Sequence, residues 1–428
     1  MFNVGVDFRF LNRFYGSAEY FYKSSKDLLY KYPLAANTSQ KNEALLKVAS
    51  SISKDFDKIL SANEKDVINA EKSGMKAGLT DRLKLNRKRL EQIVTGISTV
   101  VNLPDPIGKS NSMWTLKNGL EITKVSVPIG IIAIIYESRP NVTVDAFALA
   151  LKSGNGIVLR GSSSAINSNK ALEEAIKNGL KKSEIPEDVI HLVKDCDRNI
   201  VKEILTANDI IDLAIPRGGR SLIETVIKEA SVPTLKTGEG NNHIYVDEDA
   251  DIEMALNIIK NAKLQRVGVC NAVEKLLVHK NIANTLIPLL FEETKDSLEI
   301  HGDTFVNSII PCKKLEKEEL SDEYLDYILG IKIVENIDEA ISHIKEYGTK
   351  HSECIITKDL NKTHLFQKNV DAAAVYVNAS TRFTDGGEFG FGSEMGISTQ
   401  KLHARGPVGL EHLISHKYLI WGNGQIRD

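Results

Sequence analysis

One of the four cysteines of this 428-residue chain has a setting suited to chemistry. In QRVGVCNAVE, Cys270 follows Gly268 and Val269, precedes Asn271 and Ala272, and sits in a short loop that runs into the strand-like VEKLLVHK. A thiol so placed is either a small apolar core residue or a nucleophile, because sulfur attacks an activated acyl carbon readily. Cys196, Cys312 and Cys354 lack comparable surroundings, Cys354 lying in a strand-like run and Cys312 in a charged one. There is no CxxC pair, so no metal is expected, and scattered thiols of this number build no disulfide framework. A reducing, cytoplasmic setting is the expectation.

Two strand exits carry anion chemistry. In GIVLRGSSSAINSN, Arg160 closes a strand and Gly161, Ser162 and Ser163 follow, offering a cation, backbone N–H groups and hydroxyls to a phosphate. In DLAIPRGGRSL, Pro216 stops a strand, Arg217 supplies charge, and Gly218 and Gly219 let a ligand approach the backbone where a helix starts. Either stretch also reads as no more than a well-made turn. GxGxxG is absent, and GKS at 108 to 110 lacks the upstream glycine of a P-loop, which argues against kinase-type nucleotide binding.

The elements that must position these residues follow from periodicity. Residues 39 to 100 carry apolar side chains at helical spacing, and WTLKNGLEITKVSVP reads as a β-hairpin around Asn118-Gly119. From IGIIAIIYE onward strands alternate with helices, and beyond Cys270 the same rhythm restarts with KLLVHK, IKIVEN, CIITKD and AAVYVNA. Such alternation predicts α/β architecture with parallel sheets, in two bodies joined near residues 260 to 268. The first 22 residues hold eight aromatics and read as a peripheral extension; Asp7, Arg9, Asn12 and Arg13 interrupt any signal-peptide core. A net charge of -3 gives no global attraction to nucleic acid or an anionic membrane, and no apolar run approaches the ~18 residues of a membrane span.

The stretches VPIGIIAIIYESRPNVTVDAFALALKSGN, LAIPRGGRSL, HIYVD, the Cys270 loop and YVNASTRFTDGGEFGFGSEMGISTQKLHARGPVGL, in that order, resemble the γ-glutamyl phosphate reductase family of the aldehyde dehydrogenase superfamily, over about residues 35 to 428. The resemblance implies an aldehyde dehydrogenase-like fold with a Rossmann-type cofactor domain. It also implies NADPH-dependent reduction of L-glutamate 5-phosphate to L-glutamate 5-semialdehyde and phosphate, the second step of proline biosynthesis. By resemblance Cys270 forms a thioester, and its oxyanions are met by the Cys270 N–H and a side chain of ESRPNVT, Asn141 or Arg139. Arg160, Gly161, Ser162 and Ser163 would take the adenosine ribose and its 2′-phosphate; Pro216, Arg217, Gly218 and Gly219 would lie by the pyrophosphate; Glu323 would hold the nicotinamide ribose. Arg139, Ser380, Thr381 and Arg382 are the candidates for the substrate's phosphate and carboxylate.

Lys236 falls where aldehyde-oxidising relatives carry a water-activating Glu, with Glu239 close by. Asn242 replaces a family Cys, with an expected effect on a pocket wall only. The implied domains are an extension at 1 to 22, a cofactor domain at 23 to 110 and 128 to 265, oligomerisation elements at 111 to 127 and 408 to 428, and a catalytic domain at 266 to 407. A homo-oligomer is expected, as is a separate glutamate 5-kinase making transient contact to deliver the acyl phosphate. The alternatives are an aldehyde dehydrogenase of other specificity and a cofactor-free thiol enzyme, for which the nearest following histidine, His279, ends a strand.

Overall fold

The computed structural model describes residues 2–10, 14–22, 36–75 and 77–427. Two compact units are present, Met1–Tyr32 and Pro33–Asp428. In the first, the backbones of Phe2–Phe10 and Phe14–Tyr22 pair antiparallel, from Phe2 opposite Tyr22 to Phe10 opposite Phe14. The two aromatic stretches thus pair as antiparallel strands, which the sequence reading did not anticipate. Residues 23–35, assigned above to the cofactor domain, lie outside the described residues.

In the second unit, six buried residues of Ile131–Tyr136 seed a four-stranded parallel sheet in the order Ile190–Leu192, Gly156–Gly161, Ile131–Tyr136, Leu213–Arg217. Strand order reverses beside Ile131–Tyr136, so a crevice opens at the carboxyl ends of that strand and Leu213–Arg217. Helices cover the sheet. Thr38–Lys54 starts at Asn37 with a capping box closed by Gln40 and packs against Ile166–Leu180. Asn141–Lys152 lies between the sheet and Arg87–Asn102 and is buried on nearly every side. Its one buried cation, Lys152, is satisfied by Asn42 Oδ1 at 2.6 Å and Val101 O at 2.8 Å.

A seven-stranded parallel sheet follows, in the order Lys313–Lys314, Glu299–Gly302, Ile328–Val334, Val273–His279, Asn242–Val246, Ser352–Ile356, Ala374–Val377. Asn242–Val246 pairs with Val273–His279 on one side and Ser352–Ile356 on the other. The expected boundary at 265/266 therefore needs correction: residues 242 to 265 sit with the second sheet, and the chain crosses between sheets after Leu235. It later returns, since Met395, Ala404, Val408, Leu410 and Leu413 join the first core. The Asn118-Gly119 turn closes as expected, and Ser110–Thr115, Glu121–Pro128 and Ile414–Trp421 make one antiparallel sheet. That sheet exposes Met113, Tyr418, Ile420 and Trp421. Among the described residues no helix is long and apolar enough to cross a membrane.

At the seven-stranded sheet His243, His343 and His351 are buried, and the Nε2 of each lacks a partner among the described residues. Burial holds His343 down to about 2, helped by His243, Lys332 and Lys275. Its folded value lies below the unfolded one, so its contribution is present above about pH 6.5 and is lost as pH falls. Replacing His343 by Phe removes that proton from the balance. In urea unfolding, stability relative to wild type should shift in the variant's favour by about 1.4 kcal/mol per pH unit below 6.5.

Candidate active site

The Cys270 loop is pinned from three directions. Asn242 Nδ2 donates to Cys270 O and Ala272 O, both at 2.7 Å, while its Oδ1 accepts the Ser352 N–H at 3.1 Å. Thr381 Oγ1 donates to Asn271 O at 2.8 Å, and Asn271 Nδ2 donates to Thr384 O at 2.9 Å. Arg82 Nη2 donates to Gly268 O at 2.7 Å. The fit leaves no room beneath: a Cβ on Gly240 would lie 1.5 Å from Cys270 O, so only glycine is tolerated there. Asn242 thus does more than line a pocket wall, because it anchors the loop that carries the thiol.

Across the crevice, the exit of Ile131–Tyr136 aims Arg139 and Asn141. Ser138 is held at φ 40°, a conformation costing on the order of 1 kcal/mol, with its N–H on Ser162 Oγ and its hydroxyl 3.2 Å from Ser164 Oγ. Tyr136 OH meets Thr143 Oγ1 at 2.7 Å, and Thr143 Oγ1 donates to Asn169 Oδ1 at 3.2 Å, which ties strand end to helix start. Asn141 Nδ2 donates to Asp145 Oδ2 at 2.9 Å and keeps a second N–H for the pocket.

Between these walls is a cavity of about 280 Å³ lined by Arg82, Lys84, Arg89, Arg139, Arg266, Asn141 and Asp145, together with Gly268 and Val269 of the Cys270 loop. Asp81 neutralises Arg89 at 2.9 Å and lies 3.9 Å from Arg266. The Arg139 carbonyl accepts the Val142 N–H at 3.0 Å, but its guanidinium has neither a hydrogen bond nor an ion pair among the described residues. Burial, then Arg217 and Arg82, bring Arg139 down to about 9. Such crowded, unmatched cations need an anion. The thiol is pushed up to about 11 by burial and by Glu394, with Arg217 opposing. Burial lifts Glu394 to about 7; it accepts the Gly386 N–H at 2.9 Å and lies 4.0 Å from Arg217.

The anticipated anion loops are arranged differently from one another. Arg160 Nη2 donates to Cys196 O at 2.9 Å and its buried Nε has no partner among the described residues, while Ser162 Oγ lies 2.6 Å from Ser164 Oγ and Ser163 opens a short 3-10 turn. Gly161 is there for packing, since a Cβ would lie 2.1 Å from Asn169 Nδ2. In the second loop, Pro216 O accepts the Thr237 hydroxyl at 2.7 Å, and Gly219, next to Gly218, gives its N–H to Glu137 Oε2 at 2.9 Å. Arg217 acts on Cys270 and Glu394 instead of standing free for a pyrophosphate. Glu323 Oε1 accepts the Gly240 N–H at 2.9 Å, and burial raises it. Ser380 and Thr381 are buried and spend their hydroxyls on backbone, and Arg382 is bonded to Gln265 Oε1 at 2.9 Å and to Asn271. Thr381 and Arg382 therefore hold the thiol loop, while Ser380 Oγ accepts the Arg382 N–H and caps its own turn.

Lys236 gives its N–H to Gln400 Oε1, and Glu239 lies near enough to Glu323 to raise it. His279 Nδ1 accepts the Asn281 N–H and caps a helix, away from the thiol. The sequence reading missed Arg82, Arg266, Asp145, Asn242 as an anchor, and Glu394. Only Glu394 carried a local signal, as a lone carboxylate in the glycine-rich GFGSEMG.

Two parallel α/β bodies with a cysteine loop in the crevice between them define an oxidoreductase of the aldehyde dehydrogenase class, and the sequence profile of the aldehyde dehydrogenase family matches residues 48–319. The γ-glutamyl phosphate reductase of Alkaliphilus metalliredigens is 58% identical over 391 residues, which cover 91% of this chain and 94% of that protein. That of Dictyoglomus thermophilum is 54% identical over 411 residues, 95% of this chain and 98% of its own. The crystal structure of the Thermotoga maritima γ-glutamyl phosphate reductase superposes with a TM-score of 0.88 at 49% identity, covering 92% of this chain and 96% of that one. The chain belongs to the γ-glutamyl phosphate reductase family.

Proposed function

We propose that the chain reduces L-glutamate 5-phosphate to L-glutamate 5-semialdehyde and phosphate with NADPH, the second step of proline biosynthesis, through a thioester on Cys270. The observation that carries the chemistry is the Arg139 guanidinium, unpaired among the described residues, beside Arg82 and Arg266 and facing the thiol loop across one cavity. Cys270 Sγ attacks C5; the C5–O bond to phosphate breaks, and phosphate leaves with the bonding pair. Glu394, the carboxylate acting most strongly on the sulfur, takes the thiol proton. Asn141 Nδ2 and the Cys270 N–H donate to the oxyanion, each such donor being worth about 3 kcal/mol of barrier. When bound, the nicotinamide supplies the hydride to C5. The S–C5 bond then breaks as the aldehyde carbonyl forms.

The residues present fit a phosphorylated dinucleotide. The orphaned Nε of Arg160 and the hydroxyls of Ser138, Ser162 and Ser164 supply donors for a ribose and its 2′-phosphate. Glu323 stands near the thiol for the nicotinamide ribose. At the Gly218-Gly219 loop, a pyrophosphate requires Glu137 to release the Gly219 N–H. The exposed three-stranded sheet with Met113, Tyr418, Ile420 and Trp421 supports a homo-oligomer. The acyl phosphate would come from a glutamate 5-kinase.

The test is the reverse assay. Oxidation of glutamate 5-semialdehyde with NADP should require inorganic phosphate, because phosphate is the acceptor for the thioester. Phosphate-independent oxidation of simple aldehydes to acids would instead favour an aldehyde dehydrogenase of other specificity.

A further inference from the structure

The cavity contains one carboxylate among its cations, and nothing in the mechanism above uses it. Asp145 lies one helical turn beyond Asn141 in Asn141–Lys152, so both side chains share a face toward the cavity. Its Oδ2 accepts from Asn141 Nδ2, it forms no ion pair among the described residues, and its other oxygen keeps acceptor capacity. Five cationic side chains line the same cavity. A simple dianion would have no use for a carboxylate there, and would be repelled by it. A ligand with anionic groups and one cation would be matched at every point.

We propose that Asp145 binds the α-ammonium of the substrate and so makes the site specific for an α-amino acid over the corresponding plain acid. This assignment rests on the reading of the substrate as glutamate 5-phosphate, and identifies a subsite within it. The spacing agrees: four bonds of about 1.5 Å separate the acyl carbon from the amino nitrogen, and one turn of helix advances about 5.4 Å from the oxyanion donor Asn141 to Asp145. Burial lifts Asp145 to about 6, and a bound ammonium offsets that cost by pairing the charge.

A second benefit is chemical. A free amine three carbons from a thioester carbonyl attacks it, closing a five-membered lactam and expelling the thiolate, and proximity makes such closures fast. A carboxylate that keeps the nitrogen protonated and turned away removes the lone pair this attack needs.

The experiment compares L-glutamate 5-semialdehyde with 5-oxopentanoate, the same aldehyde without its amino group, each with NADP and phosphate. Wild type should favour the aminated aldehyde in kcat/KM by about 100-fold. Asp145→Asn keeps an acceptor for Asn141 and should abolish most of that preference, mainly through KM of the aminated aldehyde. Asp145→Glu, which keeps the charge, should retain part of it. A fall of kcat on both aldehydes by the same factor would show that Asp145 merely orients Asn141, and an unchanged preference would also overturn the assignment. Should the variants not fold, competition on wild type decides: L-glutamate must inhibit more tightly than glutarate, and equal inhibition refutes an ammonium subsite. A wild-type enzyme that oxidises neither aldehyde in a phosphate-dependent way refutes the functional reading itself, a result distinct from loss of preference.

Discussion

Cys270→Ser is expected to lower phosphate-dependent turnover by about 10,000-fold or more while leaving NADPH binding intact, the scale seen when a covalent nucleophile is lost. The thiol is held at about 11 in the free enzyme, so it is protonated near neutral pH and must pass its proton to a neighbour before it attacks. Glu394, lifted to about 7, can accept a proton from sulfur. It is far too weak a base to ionise a serine hydroxyl. The oxygen ester formed by serine would also accept hydride less readily than a thioester. The substitution is close to isosteric and the loop is anchored through Asn242, Thr381 and Arg82, so the fold should survive. Measuring both the reverse reaction and NADPH binding by fluorescence separates chemistry from folding. Retention of even a tenth of the turnover would sink the thioester.

Arg139→Met should raise KM for phosphate in the reverse direction by about 100- to 1,000-fold with little change in KM for NADP. Removing one member of a buried charge pair costs about 2–5 kcal/mol, and the Arg139 guanidinium has no hydrogen bond or ion pair among the described residues, which leaves it for a bound anion. Burial, then Arg217 and Arg82, already hold it down to about 9, so a phosphate relieves a penalty as well as making hydrogen bonds. Met preserves length and apolar bulk, which keeps the pocket wall. Lys should rescue poorly, because a guanidinium presents a planar fork of donors to phosphate oxygens and an ammonium does not. Saturation curves in phosphate for wild type and both variants check this, and an unchanged phosphate KM would place the anion elsewhere in the crevice.

Thr381 and Arg382 show where the residue-level reading diverges from the structure. Both stand in NASTRF, a stretch rich in donors, and were expected at the substrate. In three dimensions the Thr381 hydroxyl and the Nε and one Nη1 donor of Arg382 go to the Cys270 loop and Gln265 before it. A hydroxyl looks identical in sequence whether its acceptor is a ligand or a backbone carbonyl more than a hundred residues away. Arg82, Arg266 and Asp145 were invisible for the complementary reason, since each lies in an ordinary helical or loop stretch and becomes distinctive only when the crevice brings them together.

What the amino-acid sequence alone determined was local: a period of two or 3.6 marks each strand and helix, Asn118-Gly119 forces a hairpin, and small residues around Cys270 leave its thiol in a loop before a strand. Their alternation was enough for the α/β class, because parallel strands need helical crossovers. The tertiary structure alone decided which sheet each strand joins. Asn242–Val246 follows the first sheet in the chain yet pairs within the second, and no local pattern encodes that choice, because burial on both faces makes all parallel strands read alike. That pairing sets Asn242 under the thiol loop and fixes which charges surround the sulfur, and charge effects depend on distance through space, not along the chain.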